Sequence, residues 1–106
     1  MPRLAFVFPG QGAQYSGMGQ ELVVNYPEAA AVFDQADQIS PYPISKLCFA
    51  GPAERLNSTE FAQPALLTAS LAILAVVREQ GLKPDLVAGL SLGEYTALVA
   101  AGSIRF

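Results

Sequence analysis

The segment "PDLVAGLSLGEYTALVAAG", residues 84–102, decides the fold class because a strand and a helix meet in it. Residues 85–90 predict a short buried strand, and Ser91 is expected to open a helix that runs through Ala101. Residues 4–8 form a second unbroken apolar run, which also predicts a buried strand. Two apolar strands separated by helices favour parallel pairing. The expected fold class is therefore α/β, a layered parallel sheet with flanking helices.

The chain between the two strands predicts helices, with proline at first positions and glycine beyond last ones. The pattern assigns no structure to residues 56–61. The longest helix is expected over residues 64–80, and it is apolar almost all round, which is typical of a helix buried on every side. Two strands and a few helices are expected to be too few to bury it. The other helices are expected to run through Val24, from Pro27 through Ile39 and over residues 43–50.

Composition and charge argue against a nucleic-acid-binding or membrane-spanning protein. Apolar residues make up 52% of the 106 residues and charged residues only 14%, against roughly 25% charged in an average globular protein. The net charge of −3 offers no basic patch for nucleic acid or anionic lipid. No apolar run reaches the roughly 18 residues of a transmembrane helix. The single cysteine, Cys48, is expected to pack in the core and favours a reducing, cytoplasmic setting.

Two interpretations compete for Ser91. Ser91-Leu92-Gly93-Glu94 matches a capping box, in which a serine caps a helix and a glutamate three residues later reaches back. The same residues complete the pattern Gly89-x-Ser91-x-Gly93, which presents a nucleophilic serine when it joins a strand to a helix. The strand before it and the helix after it favour the nucleophile. The backbone N–H of Leu92 is then expected to serve as an oxyanion donor.

A glycine-dense loop, "GQGAQYSGMG" at residues 10–19, follows the first strand. It fails the dinucleotide pattern G-x-G-x-x-G because position 15 is tyrosine, and it fails the phosphate-loop pattern because Met18 and Gly19 follow Gly17. Active sites of open α/β sheets lie at this edge of the sheet. The loop is therefore expected to approach Ser91 and to supply a second backbone N–H.

Three motifs in order resemble the acyltransferase family of fatty-acid and polyketide synthesis. They are "FVFPGQGAQYSGMG" (residues 6–19), "FAQPALLTASLAIL" (61–74) and "VAGLSLGEYTALVAAGSI" (87–104). The resemblance implies that Ser91 carries the acyl group and that the backbone N–H groups of Gln11 and Leu92 form the oxyanion hole. It also implies that Gln63 lines the substrate site.

The same resemblance implies an activity and a fold. The activity is transfer of a malonyl group from malonyl-CoA to the phosphopantetheine thiol of acyl carrier protein through an acyl-serine, with no metal and no permanently bound cofactor. The fold implied is an α/β-hydrolase-like core. Residues 1–106 would be the N-terminal part of its large subdomain, without the ferredoxin-like small subdomain.

The chain departs from the family pattern in two ways. Leu90 stands where the family often has histidine. The resemblance implies a general base that is a histidine far downstream and an arginine after the helix that follows Ser91, which pairs with the malonyl carboxylate. Neither position exists in this chain, which contains no histidine. The remaining acyltransferase chain or a complementing polypeptide is therefore an expected partner, and the acyl group is left open. Two alternatives are a related serine hydrolase and a truncated, inactive fragment that binds CoA or a carrier protein.

Overall fold

The computed structural model describes residues 3–106, which form a two-stranded parallel sheet and six helices. The strands pair in register from Ala5 opposite Leu86 to Phe8 opposite Gly89. This confirms the predicted α/β class with a parallel sheet. In chain order the elements are β1 Ala5–Phe8, α1 Gln20–Asn25, α2 Pro27–Ile39, α3 Ile44–Ala50, α4 Ala53–Leu56, α5 Thr59–Glu79, β2 Leu86–Gly89 and α6 Gly93–Ala100.

The predicted start of the longest helix is wrong. Helix α5 begins at Thr59, five residues before Pro64, which lies inside it. A proline has no N–H, so Pro64 cannot bond the carbonyl of Glu60 one turn earlier. The hydroxyl of Tyr42 donates a hydrogen bond to that carbonyl over 3.3 Å. A contact from another part of the chain therefore replaces the bond that the proline removes.

Helix α5 forms the centre of the core, packed against α2, α3 and α6. This 21-residue helix contains an 18-residue window with a mean hydropathy of 1.7, so it is long and apolar enough to cross a membrane, contrary to the expectation from the sequence. However, 56% of its most apolar 18-residue window is buried inside the structure, which identifies a core helix. The expectation that this chain cannot bury the helix on every side is confirmed in part, because Ile73 remains 54% exposed. The chain does bury much of the helix, namely Ala62, Ala65, Leu66, Thr68, Ala69, Ser70, Leu71, Ala72, Leu74 and Val76.

Apolar surface does remain exposed beside the sheet. Val7 of β1 is 76% exposed and Leu86 of β2 is 58% exposed, on a sheet of only two strands. Ile73 of α5 is 54% exposed and, with Val7, lines a groove of about 440 Å³ between β1 and the helix. Soluble domains rarely leave such surface uncovered without a partner.

Candidate active site

Ser91 lies on the tight turn between β2 and α6 in a left-handed backbone conformation. Its φ of 53° is the only positive value at a non-glycine position among residues 3–106, and such backbone costs about 1–3 kcal/mol. The side chain is exposed. Because strain of this kind persists only where surrounding structure imposes it, the turn holds Ser91 in place by its packing.

The capping interpretation of Ser91 is excluded. Helix α6 begins at Gly93, two residues later than predicted, and its N-cap is Leu92, which makes no side-chain cap hydrogen bond. A capping residue has extended backbone and accepts a bond from the N–H two or three residues later. Ser91 has neither property: its φ is 53° and its side chain caps no helix.

The two glycines that flank the serine allow β1, β2 and α6 to approach closely. A Cβ on Gly89 would overlap the carbonyl oxygen of Gly93, and a Cβ on Gly93 would overlap the carbonyl oxygen of Phe8. Any side chain at either position would push the helix off the sheet. The glycine spacing seen in the sequence therefore has a packing cause in the structure.

The glycine loop after β1 contacts the serine turn. A Cβ built on Gly10 would lie 2.5 Å from the carbonyl oxygen of Leu90 and 3.4 Å from Cβ of Ser91. Gln11 follows directly. Among residues 3–106, neither the backbone N–H of Gln11 nor that of Leu92 donates a hydrogen bond to the protein. Two free donors therefore lie on the segments that meet at Ser91.

Side-chain hydrogen bonds connect the glycine loop to the corner between α4 and α5. The Gln11 Nε2 donates to Thr59 Oγ1 over 3.1 Å, and the Gln14 Nε2 donates to Asn57 Oδ1 over 3.1 Å. The Gly12 N–H donates to Gln14 Oε1 over 2.7 Å. Sequence reasoning missed Asn57 and Thr59, because residues 56–61 show no periodic pattern.

Gln63 lies in α5 and is half-buried. It follows Thr59 by four residues, and residues four apart lie on one face of a helix. Gln63 is therefore one turn beyond the hydroxyl that Gln11 contacts. The contacts described above join Ser91 to the glycine loop, and they do not include Gln63.

Cys48 is no second nucleophile. It is completely buried, and its Sγ donates to the carbonyl of Ala65 over 3.7 Å. Burial, with a smaller contribution from the charge of Asp37, raises the pKa of the Cys48 thiol from 9.0 to about 12. The thiol therefore stays protonated at neutral pH, which confirms the prediction of a packed core residue.

Taken together, the fold and the turn define an α/β protein that presents a strained, exposed serine at the carboxyl end of a parallel strand. Comparison with known proteins then gives the family. The family model described as "Acyl transferase domain" matches residues 5–106, and the chain belongs to that family.

Individual relatives and solved structures agree with this assignment. The chain is 53% identical over 106 residues to malonyl CoA-acyl carrier protein transacylase of Bacillus subtilis, covering 100% of this chain and 33% of the relative. The structure of malonyl CoA-acyl carrier protein transacylase from Coxiella burnetii superposes with a TM-score of 0.94 at 48% identity, covering 99% of this chain and 34% of that one.

A third match is a malonyl-transacylase solved in complex with its type II PKS acyl-carrier protein. It has a TM-score of 0.92 at 47% identity and covers 98% of this chain and 34% of that one. The chain therefore spans about a third of the length of the proteins it matches.

Proposed function

We propose that this chain forms the serine-bearing part of an acyltransferase that moves a malonyl group from malonyl-CoA to the phosphopantetheine thiol of acyl carrier protein. The observation that carries the proposal is the exposed Ser91 at a φ of 53°, beside the unbonded N–H groups of Gln11 and Leu92. Relatives named malonyl CoA-acyl carrier protein transacylase support the choice of substrates. The solved complex with an acyl-carrier protein supports the acceptor.

The proposed mechanism has two half-reactions. In the first, the Ser91 Oγ attacks the thioester carbonyl, the C–S bond breaks, and CoA leaves as its thiol with the proton from the serine. In the second, the phosphopantetheine thiol attacks the acyl-serine carbonyl, the bond from that carbon to Ser91 Oγ breaks, and the serine leaves with the proton from the thiol. The N–H groups of Gln11 and Leu92 stabilise the oxyanion in both steps, and each such donor is worth about 10²–10³ in rate.

The general base is proposed to lie outside this chain, which contains no histidine. A base contributes about 10²–10⁴ in rate, so the 106 residues alone are expected to acylate very slowly. The exposed apolar side chains of the sheet, Val7 and Leu86, support a second proposal. The chain needs the remaining acyltransferase chain or a complementing polypeptide to cover them. Gln63 is proposed to line the substrate site formed between this chain and that partner.

We also propose which part of the family's fold this chain forms. Residues 1–106 are the N-terminal part of the large, α/β-hydrolase-like subdomain, and the ferredoxin-like small subdomain lies outside them. The protein works in the cytoplasm and holds neither a metal nor a permanent cofactor.

Intact-mass spectrometry after incubation with malonyl-CoA tests this proposal. We would compare the 106-residue chain with a chimera in which residues 1–106 are joined to the remainder of the Bacillus subtilis relative, each as wild type and as Ser91→Ala. A malonyl adduct on Ser91 of the chimera, absent from Ser91→Ala, is the expected result. An unlabelled chimera that folds normally contradicts the proposal.

Two other functions differ from the proposed one, a serine hydrolase in the second half-reaction and an inactive fragment in the first. A serine hydrolase would release malonate to water at the same rate with or without carrier protein, whereas the proposed transferase passes the group to the carrier thiol. A truncated, inactive fragment that binds CoA or a carrier protein is favoured by the absence of histidine from these 106 residues. The 106-residue chain would then bind CoA and form no acyl-serine.

A further inference from the structure

The corner between α4 and α5 holds the glycine loop by two side-chain hydrogen bonds. Thr59, the first residue of α5, accepts from the Gln11 Nε2, and Asn57, at the end of α4, accepts from the Gln14 Nε2, each over 3.1 Å. The bonded residues are 48 and 43 positions apart in the chain. Two bonds of similar length therefore join one short loop to one short corner.

The Gln14 amide also fixes the backbone of the loop. Its Oε1 accepts from the N–H of Gly12 over 2.7 Å. Because a backbone N–H can only donate, the amide oxygen must face Gly12, and the amide nitrogen then faces Asn57. A continuous path of hydrogen bonds runs from Asn57 through Gln14 to Gly12, the residue after Gln11.

Little else restrains this part of the loop. Residues 11–13 are exposed, and the one backbone hydrogen bond among residues 10–14 in the described chain joins the Ala13 N–H to the Gly10 carbonyl over 3.3 Å. Glycine at positions 10 and 12 adds backbone freedom. The direction of the Gln11 N–H therefore depends on the contacts with Asn57 and Thr59, together with the packing of Gly10 against Leu90.

We propose that Asn57 and Thr59 are positioning residues that hold the glycine loop so that the Gln11 N–H is directed at the serine turn. This proposal rests on the proposed function, in which that N–H is an oxyanion donor. Neither residue touches substrate. Both act through glutamine side chains, so that the donor is aligned before the reaction and no loop rearrangement is needed during it.

Matched variants of the chimera separate positioning from folding. Thr59→Val removes the hydroxyl and keeps the shape, whereas Thr59→Ser keeps the hydroxyl. Asn57→Ala removes the acceptor, whereas Asn57→Asp keeps an acceptor oxygen. Ser58→Ala is the control, because Ser58 lies in the same corner and donates to the Arg55 carbonyl over 2.9 Å without touching the loop.

A misdirected oxyanion donor should lower kcat for malonyl transfer without changing KM for malonyl-CoA, because the oxyanion exists only in the transition state. We expect Thr59→Val and Asn57→Ala each to lower kcat about tenfold, a fraction of the 10²–10³ that a whole donor supplies. Thr59→Ser, Asn57→Asp and Ser58→Ala should stay within about twofold of wild type. Wild-type kcat in both deletion variants, or equal losses in the serine and aspartate variants, would overturn the proposal.

Amide hydrogen exchange in the 106-residue chain tests the same contact without catalysis. Asn57→Ala should raise the exchange rate of the Gly12 amide about fivefold or more, the effect of losing one hydrogen bond, and Ser58→Ala should not. Unchanged exchange refutes the positioning role even if the chimera is active. An unlabelled wild-type chimera with the expected exchange pattern refutes the catalytic proposal and leaves the contact established.

Discussion

Replacing Ser91 by glycine should stabilise the folded chain while removing the hydroxyl that the proposed reaction needs. The φ of 53° at Ser91 lies in the left-handed region, which costs a residue with a Cβ about 1–2 kcal/mol relative to glycine. Glycine also loses about 0.4–1 kcal/mol more conformational entropy on folding. The balance favours Ser91→Gly over Ser91→Ala by about 1 kcal/mol.

Ser91→Ala is the matched reference because it also lacks the hydroxyl but keeps the Cβ. Urea unfolding followed by circular dichroism gives the free energy of unfolding of each variant, and thermal unfolding should show a midpoint about 4–8 °C higher for the glycine variant. Ala31→Gly, at an exposed position inside α2, provides a control of opposite sign. There glycine should destabilise by about 1 kcal/mol.

A Ser91→Gly variant that is less stable than Ser91→Ala would refute the argument. It would mean that the backbone at position 91 is not strained in solution. Mass spectrometry with malonyl-CoA should find neither variant labelled in the chimera. If Ser91→Gly is more stable than Ser91→Ala and neither is labelled, the strained backbone at position 91 lowers stability in the same turn that presents the reactive hydroxyl.

Three further predictions concern the packing around the site. Gly93→Ala should destabilise the chain by about 3 kcal/mol in urea unfolding, because its Cβ would overlap the Phe8 carbonyl oxygen. Arg78→Ala should cost about 1 kcal/mol in the same assay, since the Arg78 Nη2 donates to the Ala100 carbonyl at the end of α6 over 2.6 Å. Because burial raises the pKa of the Cys48 thiol from 9.0 to about 12, the folded chain retains a proton that the unfolded chain loses above pH 9. The free energy of unfolding of wild type relative to Cys48→Ala should therefore fall by about 1.4 kcal/mol per pH unit above 9, and an unchanged difference between about pH 8 and about pH 10 would contradict it.

Local signals made most of the elements predictable. Pro27 begins α2 at its first position, and Gly81 follows α5 with a φ of 86°. The two unbroken apolar runs became β1 and β2, as predicted, but the expectation that both strands are buried is wrong. Of the two strands only Phe8 is buried, because the sheet has two strands and no helix among residues 3–106 covers Val7 or Leu86. The start of α5 was not predictable in this way, since proline favours a first helical position and the contact that allows Pro64 inside the helix comes from Tyr42.

The site was predictable in outline and not in its contacts. The glycines around Ser91 favoured a strand-to-helix turn, but the φ that excludes a capping role results from close packing with β1. Asn57 and Thr59 were missed because their hydrogen bonds join positions more than 40 residues apart. Such bonds leave no period in the sequence. Their partners, Gln11 and Gln14, lie in the glycine-loop motif, but that motif does not indicate which distant residues the two glutamines bond.

The hydroxyl of Tyr42 and the ring of Pro64 are coupled through a single carbonyl, that of Glu60. If Pro64 is replaced by alanine, the new N–H satisfies the carbonyl and the tyrosine hydroxyl becomes redundant there. The decrease in the free energy of unfolding caused by Tyr42→Phe therefore depends on Pro64, and it should vanish when Pro64 has been replaced by alanine. Tyr42 can therefore lose its hydroxyl freely only after Pro64 has changed, whereas Pro64 can change first, so the order in which substitutions arise at 42 and 64 is constrained by one hydrogen bond.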